Sequence, residues 1–237
     1  METHLTQNSP ENTDPFGPYG FRVAHHMWTT VAKLLSENPS PFVDIREIDP
    51  SIVVNLKYAE PDNVMGFAFY PSDTLPLLRW EVAMMLAESQ RYLQRTTWEE
   101  YSLIVYDAWR PQSAQERLWE WATKENKTEY VANPEEGSMH TFWCAVDVSI
   151  LRNGEPLDMG AWFDQLDDIS QPKEETRFFW EWKLTRNHLE NRKLLREVMS
   201  AGGFSSTDSE WWHFETPDDN DNYGRRKNIR ESLPRIP

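Results

Sequence analysis

The sequence predicts an α+β fold, in which a small antiparallel sheet is flanked by helices. Apolar residues recur at helical spacing in several segments, and short β-branched runs typical of strands lie between them. No break in composition and no internal repeat divides the 237 residues. We therefore expect a flexible lead-in over residues 1–18 and a single domain over residues 19–237, with a polar tail after residue 217.

Helices are predicted over residues 21–35, 75–95, 111–125 and 187–201. The second has the strongest pattern, because one helical face carries Leu78, Val82, Met85, Leu86, Ser89 and Leu93. Pro111 suits the first turn of the third helix. The fourth is expected to end at Gly202 or Gly203, since glycine readily caps a helix.

The strands are predicted to be short. Residues 42–59 are β-branched around Val53, which favours short strands interrupted at Asp49 and Pro50. Residues 101–106 and 145–151 form continuous apolar runs typical of buried strands. Residues 204–214 are predicted to be a loop followed by a strand.

The charge of the chain argues against two classes of partner. Twenty-four basic and 39 acidic residues give a net charge of -15, which repels phosphate backbones and anionic lipids. We therefore expect neither nucleic acid nor a membrane as a partner, and the sequence leaves the oligomeric state open. Cys144 is the single cysteine, so no intramolecular disulfide can form. With no apolar leader segment at the start, the predicted location is cytoplasmic.

Three side chains form a candidate metal site. His140 precedes Asp147 by seven residues, and His213 lies in a second segment rich in aromatic residues. Two imidazoles and one carboxylate would leave a fourth position on zinc for water, which is the arrangement of a hydrolytic site. Residues seven apart on an ideal strand face opposite sides. We therefore expect His140 on a turn and Asp147 in the following strand.

Glu210 is the candidate base. It lies three residues before His213, so the two side chains meet only across a bend, a bulge or a sheet edge. A carboxylate in that position can take a proton from water and pass it to a leaving amine. The same ligands would also suit a non-heme iron oxygenase, but the usual His-x-Asp pair is replaced by six intervening residues, and Glu210 would lack a role.

Three motifs carry a resemblance to a known family. Ser138-Met139-His140, Ala145-Val146-Asp147 and Glu210-Trp211-Trp212-His213 resemble the zinc D-alanyl-D-alanine dipeptidases of metallopeptidase family M15, which include the vancomycin-resistance dipeptidases. The resemblance extends from about Phe42 to Glu215. It includes further blocks at residues 55–59, 63–66, 106–111, 159–164 and 203–204.

The resemblance implies a zinc-dependent dipeptidase with one Zn²⁺ per chain at the face of the sheet. It implies His140, Asp147 and His213 as the metal ligands and Glu210 as the catalytic base. Metal-activated water would attack the peptide carbonyl of D-alanyl-D-alanine or of a similar small dipeptide containing D-residues. The expected partner is therefore a small dipeptide substrate.

Four further residues match positions with roles in substrate recognition. Arg110 would stabilise negative charge on the carbonyl oxygen, although a salt bridge to Asp107 would also explain it. Asp164 matches the position that holds the substrate ammonium group. Tyr58 and Ser138 match positions that line the pocket and orient the dipeptide backbone.

Trp143 is the main departure from the family pattern, which has glycine three residues after the first zinc histidine. Glycine permits positive φ or a close approach of the backbone. A tryptophan there predicts a different turn or an indole that fills neighbouring space and reshapes or blocks the pocket. Two alternatives therefore stay open: a carboxypeptidase or endopeptidase acting on peptidoglycan peptides, and a non-catalytic zinc-containing binding protein.

Overall fold

Two strands buried along most of their length form the centre of the main sheet in the computed structural model of the protein, which describes residues 42–97 and 100–217. They are β4 (Tyr101–Asp107) and β5 (Ala145–Arg152), which pair antiparallel. Both apolar runs predicted as strands are thus confirmed. Nearly all of β5 is buried, so helices and loops cover both faces of the sheet.

The main sheet has six strands within the described residues. Besides β4 and β5 they are β2 (Val53–Val54), β6 (Glu155–Pro156), β7 (Ser205–Ser206) and β8 (His213–Glu215). Their order is β2–β4–β5–β8–β7, with β6 paired to the end of β5. β2 runs parallel to β4, and the other pairs are antiparallel. The predicted α+β class is confirmed, although one pair makes the sheet mixed rather than purely antiparallel.

The helices are α1 (Ile45–Ile48), α2 (Trp80–Thr96), α3 (Gln112–Lys124), α4 (Glu175–Trp180) and α5 (Arg186–Ala201). Gly202 caps α5, as the sequence predicts. It also lets the end of α5 approach α2, since a Cβ there would lie 2.0 Å from Ser89 Oγ and 2.5 Å from the Met85 carbonyl oxygen. The described residues all belong to one unit, Pro41–Pro237.

The start of α2 corrects one prediction. Helix was expected from residue 75, but Leu77–Arg79 is a strand, β3, which pairs antiparallel with β1 (Phe42–Asp44). Pro76 disfavours helical backbone at the residue before it, so the apolar pattern extends further than the helix. Likewise Pro111 immediately precedes α3 instead of lying in its first turn, and its ψ of 145° is extended.

Two short helices were not predicted. α1 begins where Asp44 accepts a hydrogen bond from the Arg46 amide, within a segment expected to hold only strands. α4 is a single short helix after two 3₁₀ turns, Asp168–Ser170 and Pro172–Glu174. Elements of this length show too little periodicity to be recognised in a sequence.

Three predictions lie outside the described residues: the lead-in over residues 1–18, the helix over residues 21–35 and the tail after residue 217. In the part of the chain that the structure describes, no helix is long and apolar enough to cross a membrane.

Candidate active site

The three predicted metal ligands meet at the junction of β5 and β8. His140 lies on a turn before β5, as expected, while Asp147 and His213 are directly paired across the two strands. Asp147 Oδ1 lies 3.3 Å from His140 Nε2 and 3.0 Å from His213 Nδ1. The two ring nitrogens are 3.1 Å apart. Three potential ligand atoms therefore point at one position.

The two imidazoles present different nitrogens to this position. His140 Nδ1 lies 2.8 Å from the Ala108 carbonyl oxygen and can donate its proton there, so that Nε2 is the nitrogen that faces Asp147. His213 instead presents Nδ1, and its Nε2 lies 3.5 Å from a carboxylate oxygen of Glu215. Such outer partners orient metal-binding histidines and fix their tautomers.

The spacing of the three atoms suits a zinc ion. Ligand atoms at about 2.0–2.1 Å from a tetrahedral zinc lie roughly 3.3 Å from one another, and the three atoms here are 3.0 to 3.3 Å apart. Burial opposes ionisation of Asp147, but His140 and His213 outweigh it and hold the pKa of Asp147 well below its usual range. The residues present therefore fit a metal that takes two imidazoles and a carboxylate.

A cavity of about 210 Å³ opens beside these atoms. Pockets for drug-sized ligands are larger, at about 300–1,000 Å³, so this cavity suits a small substrate. All the site residues predicted from the sequence line it: Tyr58, Arg110, Ser138, His140, Asp147, Asp164, Glu210 and His213. Segments far apart in the chain thus form one site.

Glu210 lies three residues before β8 and lines the cavity. Residues 211–212 form a turn, which provides the bend that lets Glu210 and His213 face the same space. Burial raises the pKa of Glu210 to about 8; the carboxylates of Asp147 and Asp164 also raise it, while His213 lowers it. A carboxyl group whose pKa lies near neutral pH is suited to moving a proton in both directions.

Arg110 is held by a buried carboxylate. Its Nε and one terminal nitrogen donate to Asp107 Oδ2 at 3.0 and 2.7 Å, and the other terminal nitrogen donates to Gln115 Oε1 at 3.0 Å. The alternative of a salt bridge to Asp107 is thus observed, and it is compatible with a catalytic role because the same guanidinium lines the cavity. The terminal nitrogen that donates to Asp107 also lies 3.6 Å from a carboxylate oxygen of Asp147.

Asp107 was expected only as a possible salt-bridge partner of Arg110, but the structure gives it further contacts at the site. Besides Arg110, it accepts a hydrogen bond at 2.7 Å from the hydroxyl of Tyr70, and it lies 3.5 Å from His140 Nδ1. Its position three residues before Arg110, at the end of a buried strand, was the available signal. Nothing in the sequence indicated that Gln115 or Tyr70 would take part.

Asp164 lies at another side of the cavity. It accepts hydrogen bonds from the Tyr58 hydroxyl at 2.8 Å and from the Val64 amide at 3.2 Å. Burial raises the pKa of Asp164 to about 7 in spite of these two bonds. Its φ of 64° is left-handed, a conformation that aspartate tolerates better than most residues.

Ser138 has a visible structural role. Its Oγ accepts a hydrogen bond from the His140 amide at 3.2 Å, which shapes the turn that presents His140. The side chain is buried and also lines the cavity. The pocket position expected for this residue is therefore compatible with a structural role in the turn.

The chain is similar to known proteins along most of its length. A family model described as D-Ala-D-Ala dipeptidase, Peptidase_M15, matches residues 38–230. The chain belongs to this family. The D-alanyl-D-alanine dipeptidase of Escherichia coli (strain K12) is 35% identical over 176 residues, which cover 74% of this chain and 84% of that protein. The D-alanyl-D-alanine dipeptidase of Enterococcus faecium is 29% identical over 199 residues, covering 75% of this chain and 92% of that protein.

A third relative, the D-alanyl-D-alanine dipeptidase of Enterococcus faecalis (strain ATCC 700802 / V583), is 28% identical over 204 residues, covering 77% of this chain and 94% of that protein. The family expected from three short motifs is thus confirmed over most of the chain. The motifs themselves supply His140, Asp147, Glu210 and His213 to the cavity.

Trp143, at the position where the resemblance implied glycine, does not line the cavity. The turn keeps a left-handed backbone at this position, with φ of 58°. The indole stacks between Phe42 and Trp109, with ring centroids 4.0 and 5.6 Å away. The sequence predicted either a different turn or an indole that fills neighbouring space. The indole does fill neighbouring space, and that space lies outside the cavity.

The variant Trp143→Gly is therefore expected to lower stability and leave turnover unchanged. Loss of a buried aromatic side chain lowers the free energy of unfolding by about 3–5 kcal/mol. Glycine relieves the strain of the positive φ, which raises it by about 1 kcal/mol, so the net decrease should be roughly 2–4 kcal/mol. Trp182→Gly is the matched control, since Trp182 also has positive φ, at 60°, but is 91% exposed. Denaturant titration of both variants measures the difference, and equal stabilities would contradict the stacking argument.

Proposed function

We propose that the protein is a zinc-dependent dipeptidase that hydrolyses D-alanyl-D-alanine or a similar small dipeptide containing D-residues. The observation that supports this most directly is that one cavity is lined both by the candidate His-Asp-His ligand set and by Asp164, a buried carboxylate outside that set. A metal centre beside a separate anionic group suits a substrate whose ammonium group lies close to the bond that is cut.

A zinc ion held by His140, Asp147 and His213 would polarise the peptide carbonyl and activate water near neutral pH. Glu210 then accepts the proton of the attacking water and delivers it to the nitrogen of the leaving amino acid. Burial raises the pKa of Glu210, which makes its protonated form stable enough to carry the proton to the leaving nitrogen. Its carboxylate is free for this role because it is not one of the three clustered ligand groups.

Arg110 donates to the carbonyl oxygen as negative charge develops there. Asp107 and Gln115 fix the guanidinium before substrate arrives, so little reorganisation is needed during the reaction. At the other side of the cavity, Asp164 binds the free ammonium group and Tyr58 holds that carboxylate in place. Ser138 lines the same space and can orient the peptide backbone.

The decisive test is release of free alanine from D-alanyl-D-alanine by the purified, zinc-loaded protein. We expect turnover that disappears when a chelator removes the metal and returns when zinc is added back. Release of alanine that is insensitive to chelation would contradict the zinc mechanism. Absence of turnover with zinc bound would contradict the dipeptidase proposal and favour the non-catalytic alternative.

An amino-blocked substrate separates the proposal from the carboxypeptidase alternative. N-acetyl-D-alanyl-D-alanine lacks the ammonium group, so it leaves the buried Asp164 without an ionic partner. We therefore expect the acetylated peptide to be cleaved far more slowly than the free dipeptide. An enzyme that acts on longer peptidoglycan peptides would instead cleave the acetylated peptide at least as well.

A further inference from the structure

We propose that Arg192 positions the ammonium site by holding both ends of the loop that carries Asp164. This loop, residues 159–169, is called the Asp164 loop below. In this way Arg192, which does not line the cavity, determines how tightly a free amino terminus is bound. The inference rests on the proposed function and adds to it a determinant of substrate affinity.

The contacts of Arg192 reach the first and the last residue of the Asp164 loop. Its Nε donates to the Met159 carbonyl oxygen at 2.7 Å. One terminal nitrogen donates to the Ile169 carbonyl oxygen at 3.0 Å. A planar guanidinium fixes the directions of its donors, so these two bonds set the separation of the loop ends.

Neighbouring residues on the same face of α5 support this contact. Asn191 donates to the Asp158 carbonyl oxygen at 2.8 Å, and His188 Nε2 lies 3.1 Å from an Asp158 carboxylate oxygen. His188 also packs against Gly160, where an added Cβ would lie 2.4 Å from its ring. One helix therefore holds the start of the Asp164 loop at several points.

The loop depends on these external contacts. Gly160 and Asp164 both have left-handed backbone, with φ of 74° and 64°. Before the 3₁₀ turn at Asp168–Ser170, residues 159–167 form neither helix nor strand. Because regular hydrogen bonding does not fix this segment, the position of the Asp164 backbone depends on where the loop ends are held, while Tyr58 and the Val64 amide bind its carboxylate directly.

The cost of burying Arg192 also indicates a specific role. The side chain is fully buried, and its nearest carboxylate oxygen, on Glu175, is 3.6 Å away. Burial lowers the pKa of Arg192 to about 10, so it stays charged at neutral pH. An apolar side chain of similar size would avoid the cost of removing this charge from water, but it could not donate to two carbonyl groups.

The test compares two Arg→Lys variants one helical turn apart. Arg192→Lys keeps the positive charge but loses the planar guanidinium that donates to the carbonyl oxygens of both Met159 and Ile169. Arg196→Lys is the control, because Arg196 donates to Glu175 at 2.7 and 2.9 Å and not to the loop. Both are assayed as zinc-loaded, full-length protein with D-alanyl-D-alanine, and N-acetyl-D-alanyl-D-alanine is used as a competitive inhibitor.

We expect Arg192→Lys to raise KM for the free dipeptide about tenfold, with kcat within about threefold of wild type. The inhibition constant of the acetylated peptide should not change, because that molecule makes no ionic contact with Asp164. Arg196→Lys should leave all three values unchanged. A purely structural defect in Arg192→Lys would lower kcat through loss of folded enzyme and leave KM as it was.

The outcomes separate this inference from the proposed function. A wild-type protein that fails to cleave D-alanyl-D-alanine would overturn both. An active wild type with an unchanged KM in Arg192→Lys would overturn only the role of Arg192. If that variant does not fold, Asn191→Ala removes the bond from Asn191 to the Asp158 carbonyl oxygen, and a rise of about threefold in KM is then expected, while an unchanged KM would overturn the inference.

Discussion

Replacing Glu210 by Gln is expected to lower kcat on D-alanyl-D-alanine by about 10³-fold, within the 10²–10⁴-fold range of general acid–base catalysis. The amide is close in size to the carboxylate and cannot accept the proton. Zinc content should stay at the wild-type value, because Glu210 is not one of the three clustered ligand groups. Metal analysis and steady-state kinetics on the same preparation provide both measurements.

Stability supplies a second readout for this variant. Since the folded pKa of Glu210, about 8, lies above its ordinary value, ionisation of this group destabilises the metal-free fold as the pH rises toward 8. Glu210→Gln removes that effect, so the thermal midpoint of the metal-free protein at pH 8 should be unchanged or higher. Glu197→Gln, at an exposed position on α5, is the control and should keep full activity. A Glu210→Gln variant with activity within tenfold of wild type would exclude Glu210 as the base.

Replacing Arg110 by Lys is expected to lower kcat by about 10²-fold, as removal of one donor to a developing oxyanion does in other enzymes. Lysine keeps the positive charge but cannot bond to Asp107 and Gln115 while also facing the carbonyl oxygen. The loss should fall on kcat more than on KM, because the interaction strengthens as charge develops on the carbonyl oxygen.

A surface Arg→Lys substitution provides the comparison for Arg110. Arg46 bonds to Asp44 on the outside of the protein, so Arg46→Lys changes the same chemical groups far from the cavity. We expect the Arg46→Lys variant to keep the kcat and KM of the wild type. If Arg110→Lys raised KM and left kcat alone, the guanidinium would be binding the ground state of the substrate and not its developing charge.

The candidate metal site was predictable because His140, Asp147 and His213 lie in motifs that resemble a known family. The spacing of His140 and Asp147 also demanded a turn followed by a strand, and the structure provides both. The two central strands were equally predictable, since continuous apolar runs leave little alternative to a buried strand. Local pattern and tertiary structure agree at these positions.

The missed elements are those whose structure depends on distant partners. β3 is a strand because β1 pairs with it, and no local pattern at residues 77–79 expresses that pairing. The role of Gln115 and the further contacts of Asp107 were missed for a similar reason. Their roles depend on the direction of the Arg110 guanidinium, which becomes visible only once α3 and β4 are placed.

Trp143 shows how a local rule can mislead about function. Glycine is expected at left-handed positions because it bears no Cβ, so a tryptophan there suggested an altered site. The backbone at Trp143 is nevertheless left-handed, and stacking on Phe42 and Trp109 holds the indole away from the cavity. The strain at one residue is thus offset by packing that sequence spacing does not reveal.

The cross-strand pairing of Asp147 with His213 has a consequence for how the site is assembled. The next residue, Phe214, pairs with Val146 and is buried on the opposite face of β8. A slip of one residue between β5 and β8 would turn Phe214 toward the polar cavity and His213 into the apolar core. Burial of Phe214 therefore favours the correct register, and a chain that has packed Phe214 correctly has also brought the candidate ligands Asp147 and His213 together.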